Sequence, residues 1–89
     1  MATATIEFTK EEIVARGKEI YERDIRPQVE EGNIGRVVAI DVRTGEFELA
    51  DEAITSASQL RARVPDAQIY VLRVGYPGLH RILRVLKQR

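Results

Sequence analysis

GRVVAIDVRTGEFELA, residues 35 to 50, reads as two strands joined by a tight turn. Val37, Val38, Ala39, Ile40 and Val42 form a β-branched run, too short for an amphipathic helix and bounded by turn residues, that suits a largely buried strand. Arg43-Thr44-Gly45-Glu46 reads as the turn, because Gly45 takes positive φ at little steric cost. Glu46 to Leu49 then alternates polar and apolar. That predicts a strand with Phe47 and Leu49 toward the core and Glu46 and Glu48 toward solvent.

Upstream, a helix start is written plainly. Thr9 and Glu12 stand at the spacing of a capping box, and Phe8 and Ile13 at that of a hydrophobic staple. Ile13, Gly17, Ile20, Tyr21 and Ile25 share one helical face. Pro27 has no N–H and crowds the preceding turn, so the helix either ends near Ile25 or kinks and continues. The reading adopted is a kinked helix from Lys10 to Glu31, stopped by Gly32 and Asn33. Gly17 leaves room for close approach to the sheet or to a second copy.

Downstream, Ala50-Asp51-Glu52 opens a second helix with acids at its positive end and Arg61 and Arg63 near its negative one. Ile54, Ala57, Leu60 and Val64 make its expected apolar stripe, and Pro65-Asp66 its exit. Gln68 to Val74 is apolar on both faces, which predicts a central strand. Gly75-Tyr76-Pro77-Gly78 reads as a turn. Leu79 to Leu86 fits either a helix stripe or a fourth strand; the strand is preferred. The expected fold is α+β, with an antiparallel sheet in the order α-β-β-α-β-β. A kinked N-terminal helix and a second helix pack against it.

The chain has 89 residues, so one domain over 1–89 is expected, with residues 1–8 as a flexible lead-in. So small a core gains from self-association, which makes a homo-oligomer the expectation. With no Cys and one His there is no disulfide framework and no basis for a structural zinc site. The 14 basic and 14 acidic residues cancel, so nothing global points to nucleic acid or to a membrane surface. No apolar stretch has transmembrane length, and the first residues lack a basic region and an apolar core, so the expected location is cytoplasmic.

Catalytic groups are sparse. Asp41 ends an apolar run, but no second carboxylate or His lies at a motif spacing; a hydrogen-bond acceptor at the turn is the plainer role. Ser56 and Ser58 lie on a helix without a base at nucleophile spacing. No enzyme, cofactor or metal is therefore expected. Charge is uneven along the chain, since no acid falls between Arg73 and Arg89. Arg73, His80, Arg81, Arg84 and Lys87 make a basic C-terminal edge able to meet an acidic partner or nucleic-acid phosphate. No aromatic residue is read as interleaving with these cations, and basic residues on an edge strand also discourage unwanted pairing.

The segments Val38 to Asp41, Thr44 to Glu46, Asp51 to Ala53, Pro65 to Ala67 and Arg73 to Gly75 together resemble a family of small bacterial proteins with a hairpin-helix-strand core. The same logic looks like small antitoxin-type domains, which neutralise a partner encoded beside them. That resemblance implies a non-enzymatic protein-binding module. The alternative is a small nucleic-acid-binding regulator using the same basic edge.

Overall fold

A computed structural model describes residues 8–83, with side chains described for residues 8–76. The hairpin forms as its pattern dictates. Strand β1 (Val37–Asp41) pairs antiparallel with β2 (Phe47–Ala50), setting Val38 opposite Leu49 and Ile40 opposite Phe47. Gly45, at φ 85°, turns the loop between them, and its N–H donates to the Asp41 carbonyl at 2.8 Å. Strand β3 (Ile69–Arg73) pairs antiparallel with the other side of β1, and β4 (Tyr76–Leu83) with the far side of β3. The spatial order is β2-β1-β3-β4, so β1 and β3 are central. The fold is α+β.

Alternation along the central strands feeds two cores. Val38, Ile40, Tyr70, Leu72 and Val74 contribute to one. Val37, Ala39, Ile69 and Val71 contribute to the other. Phe47 and Leu49 join the first core, as expected. The opposite face of β2 is not open, however. Helix α3 (Ala53–Arg63) lies over it, and Arg63 reaches from the helix end to Glu46 at 2.6 Å, Glu48 at 2.7 Å and the Phe47 carbonyl at 3.0 Å. The two helices therefore sandwich the sheet, and Glu46 and Glu48 hold an arginine instead of standing alone in water.

The N-terminal helix covers the first core. It begins at the expected box, with the Glu12 N–H donating to Thr9 Oγ1 at 3.1 Å and the Thr9 N–H to Glu12 Oε1 at 2.8 Å. Phe8, at the end of the expected lead-in, is half-buried and donates its N–H to the Gln68 side chain at 3.0 Å. The helix runs as α1 (Lys10–Ile20), a π turn (Tyr21–Ile25) and α2 (Arg26–Val29). Its buried positions are Ile13, Gly17, Tyr21, Ile25 and Val29, a strict four-residue repeat. In a regular α-helix each step of four advances about 40°, so four steps would swing the stripe by about 160° and off the sheet. The π turn takes in more residues per turn and offsets that drift. The Arg26 N–H donates to the Tyr21 carbonyl, five residues back, just ahead of Pro27, which has no N–H to offer. The expected kink is thus a widened turn. The helix stops at Val29, not Glu31; Asn33 Nδ2 donates to the Val29 carbonyl at 2.7 Å and Gly32 takes φ 84°.

Two further expectations change. Ile54 is 75 % exposed and lies outside the stripe of α3. Ala53, Ala57, Leu60 and Val64 face the second core, and Ile54 sits about 100° round from Ala53. The turn expected over residues 75–78 is shorter: Val74-Gly75 alone connects the strands, Gly75 takes φ 87°, and Arg73 already pairs with Tyr76.

Candidate binding edge and the buried aspartate

Asp41 is fully buried at the end of β1. Its Oδ1 accepts from the Gln68 N–H at 3.1 Å and the Arg43 N–H at 3.2 Å, and its Oδ2 accepts from the Thr44 hydroxyl at 2.9 Å. The Arg43 guanidinium stands 3.7 Å away and turns outward to Asp66 at 3.0 Å. The carboxylate is spent on the turn and on the start of β3, the acceptor role expected of it. Ser56 is also buried, its hydroxyl donating to the Ala53 carbonyl at 3.0 Å, while Ser58 is exposed. Among the described residues no three His, Cys, Asp or Glu side chains gather as a metal site, and no helix is long and apolar enough to cross a membrane.

The basic edge is distributed as follows. Arg73 ends β3, half-buried, and its guanidinium donates to the Gly35 carbonyl, tying the loop before β1 to the sheet. It serves the fold as well as any contact. On β4, His80 stands opposite Leu72 and Arg81 opposite Val71 in the register. Arg84 and Lys87 lie outside the described residues. The structure adds one residue that the sequence reading took for part of a turn. Tyr76 opens β4 and is 48 % exposed, an aromatic ring between Arg73 and Arg81 along the chain. Ile34, 57 % exposed, packs against Gly75 beside it; a Cβ on Gly75 would lie 2.9 Å from the Ile34 side chain.

The two sheet edges differ. At one, β2 is four residues long and gripped by Arg63. Glu46, just before the strand, and Glu48 on it raise the proton affinity of that guanidinium, chiefly by their hydrogen bonds to it. At the other, β4 is eight residues long, and no described strand pairs with its outer side. A strand so placed offers unpaired backbone groups to an incoming extended segment.

These features define a small α+β domain in which, among the described residues, the long strand β4 lies at a sheet edge. Comparisons of the chain with protein-family models, with curated proteins and with solved structures find no match.

Proposed function

We propose that this chain is a non-enzymatic protein-binding module, antitoxin-like in role, whose partner adds an extended acidic segment to the outer edge of β4. The observation that carries the reading is the sheet order, which leaves the eight-residue β4 at an edge while the short β2 is clamped from α3. Backbone pairing would supply affinity, and the basic positions of the edge would select an acidic partner. The resemblance to small bacterial antitoxin-type domains points the same way. A homo-oligomer, formed away from this edge, fits the same reading. Exposed Tyr76, opposite Arg73 in the register and on the same strand as Arg81, supports a second reading, a nucleic-acid contact in which a base stacks on the ring.

One purification separates the two. The tagged chain is recovered from its native cell with and without nuclease, and intact mass gives the composition and oligomeric state. A stoichiometric protein partner that survives nuclease, and is lost when Arg81, Arg84 and Lys87 are changed together to Glu, is the expected result. Retention of that partner by the charge-reversed chain would sink the edge reading. Nucleic acid that is lost on nuclease treatment, with binding that falls steeply with salt, would replace it with the second.

A further inference from the structure

The N-terminal helix and the β1–β2 loop do not close on each other. Between them lies a cleft of about 270 Å³, bounded by Arg16, Glu19, Arg23 and Asp24 on the helix and by Arg43 and Thr44 on the loop. It is separate from the β4 edge and was not singled out by any sequence motif, because its residues are spread over 30 positions from Arg16 to Gly45. Only the fold brings them together.

The three guanidinium groups are engaged very differently. Arg23 is committed: it donates twice to Asp24, at 3.0 and 2.9 Å, and faces Glu19 at 3.5 Å. Its hydrogen bonds hold the Asp24 carboxyl below the usual carboxylate range. Arg23 therefore answers Asp24 closely and Glu19 at longer range, one cation for two acids. Arg16 uses a single nitrogen. Its Nε donates to the Val42 carbonyl at 3.4 Å and its guanidinium lies 4.4 Å from the centre of the Phe8 ring. Both Nη atoms of Arg16 are without a partner among the described residues. Arg43 gives Nη2 to Asp66, and its Nη1 is likewise without a partner among the described residues. After the internal pairs are made, the unspent donors of the cleft belong to Arg16 on one wall and Arg43 on the other.

We infer that this cleft binds a small phosphate-type oxyanion, held between the guanidinium groups of Arg16 and Arg43. The planar fork of arginine matches a tetrahedral oxyanion through paired N–H donors, which a spherical halide cannot reproduce. The cleft holds several times the roughly 30 Å³ that one water occupies in the liquid, enough for the anion and part of its hydration shell. Asp66 is the internal competitor, since it occupies Arg43 from the outside at 3.0 Å with a side chain 67 % exposed. Binding and the Arg43–Asp66 pair therefore oppose each other.

The test is titration of the full chain with inorganic phosphate at constant ionic strength, chloride making up the balance, followed by amide and arginine Nε nuclear magnetic resonance signals. Saturable shifts confined to residues 16–24 and 42–45 are expected. Arg16→Gln, which removes no described hydrogen bond except the long one to Val42, weakens binding at least about tenfold. Asp66→Asn, which removes the outer of the two carboxylates facing Arg43 and leaves Asp41, tightens it. Each variant's own spectrum shows whether it is folded. Methyl phosphate binding as tightly as inorganic phosphate assigns a phosphomonoester; its exclusion assigns the free ion. Equal shifts from chloride alone, or unchanged affinity in a folded Arg16→Gln chain, would overturn the site. Neither result bears on the β4 edge, so the two readings fail separately.

Discussion

Asp41 joins two parts of the chain that are far apart in sequence. It closes its own loop through Arg43 and Thr44 and, 27 residues on, fixes the entry to β3 through the Gln68 N–H. Three donors depend on one buried group. Removing the carboxylate leaves them unsatisfied in a buried site, and strands the Arg43 charge beside them. Asp41→Ala is therefore expected to lower stability by about 2–4 kcal/mol, and Asp41→Asn by about half as much, since the amide keeps one acceptor. Urea unfolding of both variants checks this; equal midpoints for Asp41→Ala and the parent chain would show that the network is dispensable. The acceptor role was legible because a carboxylate beside a turn has local N–H groups to bind. The bond to Gln68 was not, because nothing in the run itself says which strand lies alongside.

Among the elements, the N-terminal helix shows how a local rule and a packing demand conflict. Gly17 in mid-helix costs up to about 1 kcal/mol against alanine by propensity. Yet a Cβ there would lie 2.4 Å from the Tyr70 ring. Overpacking of that kind costs about 1–3 kcal/mol, so the clash outweighs the propensity gain. Gly17→Ala is expected to be net destabilising by about 1–2 kcal/mol, measured by thermal or urea unfolding. A more stable Gly17→Ala chain would mean that Tyr70 can yield. The close approach was half legible: the glycine announced it, and the partner was open between sheet and second copy until Tyr70 was placed. Pro27 announced a fault in the helix but not its kind. The four-residue repeat from Ile13 to Val29 was the sign of a π turn, since no straight α-helix keeps that repeat on one face. Ile54 misled for the opposite reason. A single large apolar residue outweighed small Ala53 in the sequence pattern, whereas the sheet accepts the smaller one.

For the molecule as a whole, Tyr70 couples pH to folding. It is fully buried in the first core, and that burial pushes its phenol from 10.0 up to about 12. The folded chain holds this proton more tightly than the unfolded one. The resulting stability is fully present below about pH 10 and is lost as pH rises from there through about 12. Burial raises Tyr21 in the same direction. Denaturant midpoints measured across that interval should fall for the parent chain and fall less for Tyr70→Phe; parallel curves would exclude Tyr70 as the coupling group. The α+β class and the central place of β3 were legible from strand patterns. The side of the sheet taken by each helix was not, because strands that are apolar on both faces say only that both are covered.

That arrangement of helices has a consequence for divisibility. The chain has two similar halves, helix then hairpin and helix then hairpin, yet each helix does not simply cover its own strands. The backbone of α3 comes closest to β1 and β2, and that of α1 comes closest to β3 and β4. The halves are interleaved, like two hands each resting on the back of the other. A cut at Asp51-Glu52 would give two fragments, each with its helix and its hairpin stripped of much of their packing partners. Neither half is a smaller version of the domain, and only their recombination restores both cores.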